Sequence, residues 1–533
     1  MSRPNSRSQT RYRAFTHFSR TGVCRRILPL QAKGAPSDSE AQSSGAGRLT
    51  LPGLVICCLA TAIEALQEFG LQDALLLTSN FWRFTSERRM LLDVDTLRHL
   101  ELLCNTTDSS EKGSLMWLLR KTKTPFGGRQ LRDGISRPLV DAVHVRARHE
   151  AVDELISGCT ALAPLLDSLE GVTDLHKGLT RLHYARCSPK ELIDLVSSFI
   201  KLCEAASKTR SAASSIRSAL LRELAVAIPD VGAALKKLRD SLNTKAATEN
   251  DKQRLFRREE EYPDVVNAKE AIKLTESELE QELGTVRRSF KNHSLVFKTV
   301  SLTEYLIEFP VRQKDSLPES WTEVSRTKDF VRMHTPEVQE LLRRLQYERE
   351  VLSKSCEEAW LSFVHNSAEL YATLRTVTDK LASLDALAAL ASCSSQFGWV
   401  KPEMVDDSSV LHVEGGRHPM VEALLADAYV PNDIDLNEAG ERCLLITGPN
   451  MGGKSSYIRQ MAITVVLAQS GCFVPAKAAR LGVFDAIYTR MGSSDSLMEG
   501  RSSFLIELSE TSYRAVPNSP LPSPAIALCC GCG

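Results

Sequence analysis

Apolar residues recur at helical spacing over most of the first two thirds of the chain. Between about 78 and 260, Met90, Leu91, Leu92, Leu97, Leu100, Leu102 and Leu103 open a compact segment, and Leu115, Leu118 and Leu119 continue it. Pro125, Gly127, Gly128, Gly134 and Pro138 then divide the pattern. The run from Ala205 to Leu242 predicts long Ala- and Leu-rich helix around Pro229, and Arg257 to Glu261 predicts a solvated helix face. From about 285 to 335 the texture changes. Val296, Val300, Tyr305, Ile307 and Phe309 lie among polar residues, punctuated by Pro310 and Pro318, which predicts a small β-rich insertion. A long helix is expected to begin near Pro336. Within it Leu370, Leu374, Val377, Leu381 and Leu384 alternate four- and three-residue steps along one stripe. That stripe suits either a helix packed in its own domain or a self-supporting coiled-coil arm. Two long helical stretches flanking a β-rich insertion fit a lever with a tip. From about 401 the pattern turns α/β: Cys443 to Ile446 predicts a short buried strand, followed by a Gly-rich turn and a helix from Ser455 through Ala468.

Composition narrows the class. The 533 residues are 43% hydrophobic and 25% charged, a soluble multidomain balance. Lys+Arg and Asp+Glu are both 66, which excludes a histone-like polycation but leaves room for a basic face that binds nucleic acid. The 14 cysteines form no paired CxxC arrangement, so reduced thiols are expected rather than structural zinc or a disulfide framework. Leu51 to Ile63 is interrupted by Pro52 and Gly53 and stopped by Glu64, too short for a membrane anchor. At the start, Arg3, Arg7, Arg11, Arg13, Arg20, Arg25 and Arg26 are interleaved with Ser and Thr before any acid appears. A disordered basic tail over 1–50 and an organelle transit peptide both fit. Gln9, Tyr12 and Phe15 imitate a sliding-clamp-binding motif, with Thr16 where a second aromatic belongs.

The motif that carries chemistry is Gly448-Pro449-Asn450-Met451-Gly452-Gly453-Lys454-Ser455, which matches GxxxxGK[ST] between an apolar run and a helical pattern. Glycines let backbone N–H groups approach phosphates, and a helix N-terminus adds positive potential. Lys454 is expected to reach the β- and γ-phosphates of ATP, and Ser455 to ligate Mg²⁺.

The block Ile446-Thr447-Gly448-Pro449-Asn450-Met451-Gly452-Gly453-Lys454-Ser455 resembles the P-loop of the MutS mismatch-repair ATPases. The resemblance extends to Glu414-Gly415-Gly416-Arg417-His418-Pro419, Tyr429-Val430-Pro431-Asn432 and Gly471-Cys472-Phe473-Val474-Pro475-Ala476. It continues through Tyr488-Thr489-Arg490-Met491-Gly492 to Asp495, Gly500, Ser502, Phe504, Glu507 and Leu508. Leu91-Leu92-Asp93, Thr124-Pro125-Phe126-Gly127-Gly128-Arg129 and Arg186-Cys187-Ser188-Pro189 agree less sharply. The wording around Tyr429 and Lys454-Ser455-Ser456-Tyr457-Ile458 is most similar to the eukaryotic members specialised in insertion–deletion loops.

The resemblance implies a helical core and lever with a small β-rich clamp insertion, followed by an α/β P-loop domain of the ABC type. The implied ranges are a connector remnant at 51–77, helical core and lever at 78–262, clamp insertion at 263–335, returning lever helix at 336–400 and ATPase domain at 401–513. It implies that Tyr429 stacks on adenine with Val430 and Asn432 beside it, that Ser456 joins the phosphate loop, and that Ser502 approaches the nucleotide of a partner subunit. Arg326, Lys328 and Arg332 are expected to contact DNA phosphates, although an ordinary solvated face with Glu323 and Asp329 competes. His418 is expected to be a hydrogen-bonded structural histidine rather than a ligand or base. Implied partners are duplex DNA, a second MutS homologue as heterodimer, MutL homologues and a sliding clamp, in the nucleus and with no membrane.

The chain departs from the family in two places. The resemblance begins only at the end of the connector, without a mismatch-reading domain. No Asp-Glu pair follows the signature helix, where 514–533 carries Pro517, Pro520, Pro522, Pro524, Cys529, Cys530 and Cys532 and reads as an aberrant tail. Phe504-Leu505-Ile506-Glu507 and Val483-Phe484-Asp485 only imitate the acidic strand. Weak ATP binding without turnover is the expectation. A mismatch-repair subunit is the leading reading; a non-catalytic interaction module, a coiled-coil chromosome-maintenance ATPase and a junction-binding MutS homologue are the alternatives.

Overall fold

Helix signals in the sequence are honoured where capping chemistry supports them. In the computed structural model, residues 61–62, 65–66, 89–301, 303–406, 410–425, 429–437, 443–449, 452–491 and 525–530 are described, with the side chains of 490, 491 and 525–530 outside that description. The expectations for the basic tail, for most of 51–77, and for Asn450, Met451, Ser502, Phe504 and Glu507 fall outside the described residues.

The helical body begins with strand β1 (Leu91–Leu92) and helices α1 (Val94–His99), α2 (Leu115–Leu119), α3 (Pro125–Ser136) and α4 (Ala142–Ile156). It continues with α5 (Ala163–Ser168), α6 (Leu175–His183) and α7 (Pro189–Ser211). Ser188 and Glu191 close a capping box on α7, with Pro189 at the first turn where its missing N–H is not needed. The expected long helix over Ala205 to Leu242 is instead three pieces, because α7 ends at Ser211 and is followed by α8 (Ala219–Val226) and α9 (Gly232–Asp240). Buried Glu154 accepts the N–H groups of Arg217 and Ser218 at 2.8 and 2.6 Å, so a carboxylate from α4 starts α8, and Pro229 separates α8 from α9. After α10 (Thr244–Glu249), residues Glu259–Glu261 form a 3₁₀ turn rather than a helix face. Lys269 reaches back to Glu259 at 2.6 Å.

Helix α11 (Pro263–Ser289) and helix α12 (Pro336–Ser367) lie side by side as a two-helix arm. Leu279, Val338 and Leu345 form a small core along it, and buried Glu348 accepts from Thr275 across it at 2.7 Å. Thr335 caps α12 by accepting the Val338 N–H at 3.0 Å, with Pro336 in the first turn. The range 263–335 expected for the insertion therefore opens with the whole of α11. Its β structure occupies β2 (Phe297–Val300), β3 (Thr303–Pro310), β4 (Thr322–Arg326) and β5 (Phe330–His334), antiparallel in the order β2-β3-β5-β4. Ile307, Phe309, Val331 and Met333 turn inward onto Leu283 and Val286 of α11, a second small core at the tip.

Helix α13 (Tyr371–Gln396) carries the apolar stripe back into the body. Leu374, Val377, Leu381 and Leu384 are buried in the main core, where α13 packs on α3, α4 and α6. The stripe is thus a packed seam of its own domain rather than part of a free-standing arm. Asp385 on α13 is buried and accepts the Lys123 and Thr124 N–H groups, both at 2.9 Å, and the Thr124 hydroxyl at 2.6 Å. Because Thr124 in turn accepts the Gly127 N–H at 3.0 Å, one carboxylate organises the start of α3.

The α/β part holds β6 (Glu403–Met404), β7 (Leu411–Gly416), α14 (Pro419–Leu424), β8 (Asn432–Leu436), α15 (Lys454–Ser470) and β9 (Ala478–Leu481). Its first sheet has the order β6-β9-β7-β8. A second, parallel sheet joins β1, β10 (Ala486–Met491) and β11 (Ala525–Cys530) in that order. Residues 525–530, within the stretch read from composition as an aberrant tail, form a paired strand. The strand expected over Cys443 to Ile446 is not formed. Residues 443–449 pair with no strand among the described residues, and Leu444 and Leu445 are 40% and 87% exposed. A short apolar run is buried as a strand only where neighbouring strands take up its backbone and face its side chains, and here neither is supplied.

Candidate nucleotide-binding site

Helix α15 is buried almost from end to end, with Met461, Ala462, Ile463, Val465, Val466, Leu467 and Ala468 in the main core. A helix apolar on every side holds its ends at fixed positions, and both ends matter here. At the far end, the Gln469 amide donates to the carbonyls of Leu139 and Phe484 at 2.6 and 3.0 Å and accepts the Phe484 N–H at 2.9 Å. Arg148 of α4 donates to the Ser470 carbonyl at 3.1 Å, and the Ser470 hydroxyl reaches the Gly134 carbonyl of α3 at 3.2 Å. The helix is therefore bolted to the helical body at the end opposite the loop expected to hold phosphate.

At the near end, Gly453 is the N-cap of α15 with φ +87°, a left-handed conformation that a residue with a Cβ adopts only under strain. The preceding Gly452 donates to the Pro449 carbonyl at 3.1 Å, and a Cβ there would lie 2.9 Å from that oxygen. The loop is thus narrow enough only for glycine, leaving first-turn N–H groups of α15 to face outward with the positive end of the helix dipole. Lys454 Nζ donates to the Gly448 and Pro449 carbonyls at 2.5 and 3.3 Å, so the cation sits inside the curve of the loop. This arrangement fits a polyphosphate: oriented amides, one cation and the first-turn hydroxyls of Ser455 and Ser456. It also fits Mg²⁺ held by one hydroxyl and phosphate oxygens rather than by a protein cage. Among the described residues no group of three His, Cys, Asp or Glu side chains is placed to hold a metal.

The loop expected to meet the base is tied to the same helix. Tyr457 donates its hydroxyl to the Asp433 carbonyl at 2.7 Å, and Tyr429 donates its hydroxyl to Gln460 Oε1 at 3.0 Å. Burial pushes the Tyr429 phenol above its ordinary range, keeping it protonated and a donor. Val430 is 77% exposed, and Asn432 Nδ2 donates to its carbonyl at 3.2 Å, tightening the turn. His418 is a buried N-cap of α14, its Nδ1 accepting the Val421 N–H at 3.4 Å. Burial, with the Arg459 charge nearby, lowers it to about 4. It is a neutral structural histidine, as its isolation from other histidines suggests.

Asp485 lies just before β10, and its carbonyl accepts the Leu91 N–H at 2.8 Å. That is the amino end of a parallel strand, whereas ligands of parallel sheets meet the carboxyl ends. At the tip of the arm, Arg326 and Lys328 are exposed at the β4–β5 turn. Arg332 differs from the free cation expected: its Nε donates to Glu308 at 3.1 Å on the neighbouring strand, and its side chain is only 17% exposed.

Sequence reasoning missed Gln460, Gln469 and Asp385. The signal was present for the two glutamines, which bracket the run Met461 to Ala468: polar residues in a helix that is otherwise apolar along this run are buried with it.

The MutS domain III model matches residues 95–391, and the MutS domain V model matches 444–517. The DNA mismatch repair protein msh3 of Aspergillus fumigatus is 40% identical over 499 residues, covering 92% of this chain and 44% of that protein. The same-named protein of Aspergillus niger is 39% identical over 499 residues, covering 92% of this chain and 44% of the relative. That of Botryotinia fuckeliana is 40% identical over 474 residues, covering 87% and 41%. The chain spans less than half the length of these relatives.

Proposed function

The chain belongs to the MutS family, and on that basis we propose that it is a DNA mismatch-repair subunit that binds ATP and duplex DNA. The observation that carries the nucleotide part is the left-handed Gly453 opening a buried helix, with Lys454 inside the loop. Gly448, Pro449, Gly452, Gly453, Lys454, Ser455 and Ser456 gather the phosphates, Ser455 offers its hydroxyl to Mg²⁺, and the loop of Tyr429, Val430 and Asn432 receives the base. Asn450, Met451 and, on the partner's nucleotide, Ser502 complete the proposed set. The residues of this chain would cradle and orient ATP.

On the DNA side, Arg326 and Lys328 suit contact with backbone phosphates, which carry no sequence information but supply salt-dependent affinity. The relatives' name, DNA mismatch repair protein, supports mismatched duplex as the ligand; looped duplex and a heterodimer with a second MutS homologue are further parts of the proposal. MutL homologues and a sliding clamp are further proposed partners, and the nucleus the proposed location. Among the described residues no helix is long and apolar enough to cross a membrane.

Equilibrium binding of ATP with Mg²⁺ tests the nucleotide part. Binding by the wild-type chain that is lost in Lys454→Ala supports it, and binding that survives the substitution refutes the P-loop assignment. The exposure of Leu444 and Leu445 beside this loop favours a second reading, a nucleotide-binding interaction module without hydrolysis. Phosphate release that follows the protein and disappears in Lys454→Ala would exclude it.

A further inference from the structure

Gln460 stands out as a buried polar side chain on the helix that carries the phosphate loop. It is 0% exposed, its Oε1 accepts the Tyr429 hydroxyl at 3.0 Å, and its Nε2 is buried without a partner among the described groups. It lies six residues into α15 from Lys454, about 9 Å along the helix axis. Burying an amide in this way is unfavourable unless its geometry serves something.

The surroundings are cut to fit this amide. Gly416, opposite Asn432 in the β7–β8 ladder, lies so close that a Cβ there would be 2.5 Å from Gln460 Nε2 and 3.0 Å from the Asn432 carbonyl. Gly415 donates to Asp433 Oδ1 at 2.7 Å, and Tyr457 of α15 donates to the Asp433 carbonyl at 2.7 Å. The backbone after the Tyr429 turn is thus tied once to β7 and once to α15, while the half-buried tyrosine hydroxyl meets Gln460 of α15 and has the His418 backbone and the Asn432 side chain beside it. A tyrosine side chain has two free torsions, and a hydrogen bond from its distal oxygen to an immobile acceptor restrains both.

We infer that Gln460 is the positioning residue for nucleobase binding: it holds the Tyr429 ring at one orientation relative to the phosphate loop. Gly416 is small in order to admit it. The inference rests on the nucleotide reading above and deepens it. It divides the site into a phosphate half that is independent of Gln460 and a base half that depends on it.

The test compares ATP with inorganic tripolyphosphate, each with Mg²⁺, on the wild-type chain and on Tyr429→Phe, Gln460→Met and the double variant. Tyr429→Phe keeps the ring and removes only the hydroxyl, and Gln460→Met keeps the volume and removes the acceptor. Loss of one hydrogen bond is expected to weaken ATP binding about three- to tenfold in each single variant. The double variant should lose no more than either single one, because both remove the same bond. Tripolyphosphate binding should stay within about twofold throughout. Unchanged ATP affinity in Tyr429→Phe overturns the inference. So do equal losses for ATP and tripolyphosphate, or losses that add in the double variant, because these indicate general loosening of the domain. If the wild-type chain binds tripolyphosphate but not ATP, the base half is wrong; if it binds neither, the nucleotide reading itself falls.

Discussion

Replacing Asp385 with Ala removes an acceptor that two N–H groups and one hydroxyl share at the start of α3. Each donor left unpaired in a buried place costs about 1–3 kcal/mol, offset by the relief of no longer burying a carboxylate. A net loss of about 3–5 kcal/mol is expected. Gly127 makes the argument sharper. A Cβ there would lie 2.1 Å from Asp385 Oδ2, 2.6 Å from Cγ and 2.8 Å from Cβ, so Gly127→Ala forces α3 and α13 apart. Alone it should cost about 2–3 kcal/mol despite the better helix propensity of Ala. In the Asp385→Ala background the two closest atoms are gone, and the same substitution should cost at least about 1 kcal/mol less. The assay is urea unfolding followed by circular dichroism on the wild type, both single variants and the double. Equal cost of Gly127→Ala in the two backgrounds would refute the contact, and a loss below about 1 kcal/mol for Asp385→Ala would refute the capping role.

Arg326→Glu with Lys328→Glu should weaken binding to homoduplex and looped duplex alike and lower the salt-dependence slope by roughly two, one per lost phosphate contact. An unchanged slope in a two-salt titration would remove these residues from the DNA surface. Arg332→Glu should act instead on the stability of the tip, because it sets a second carboxylate against Glu308. His149 and His418 are both held down to about 4 by burial, against about 6.5 in the unfolded chain. The unfolded state therefore binds more protons between those values. Stability is fully present above pH 6.5 and falls as pH drops toward 4, by about 1.4 kcal/mol per unit for each histidine. His149→Met should remove its half of that slope in urea titrations at pH 6.5, 5.5 and 4.5; an undiminished slope would show that His149 is not buried neutral.

Features that depend on near neighbours along the chain are legible in the amino-acid order. Periodicity places the helical body, the start of the long helix at Pro336 and the β-rich tip, because amphipathic spacing and proline at a helix start act locally. Gly453-Lys454-Ser455 marks the loop-to-helix turn of the proposed phosphate site for the same reason: a left-handed glycine at a helix start needs only its own backbone. The isolation of His418 rightly argues for a structural histidine. The failures have a common cause. The strand at Cys443 to Ile446 depends on neighbours in a sheet, the division of Ala205 to Leu242 on Glu154 from another helix, and the withdrawal of Arg332 on Glu308 from the next strand.

Hydrophobic period and loop chemistry are written in consecutive residues, and they suffice to specify a MutS-type body, a two-helix arm with a β tip and a glycine-lysine loop at a helix start, the proposed polyphosphate site. Which polar groups are buried, and what they hold, is settled by packing between distant segments. Asp385 meets Thr124 and Gly127 from some 260 positions away, Gln460 meets Tyr429 across 31 and Gln469 meets Leu139 across 330. Buried polar contacts of this kind have no period and no local propensity. They exist only once the packed core has brought those segments together and excluded the water that would otherwise satisfy each group.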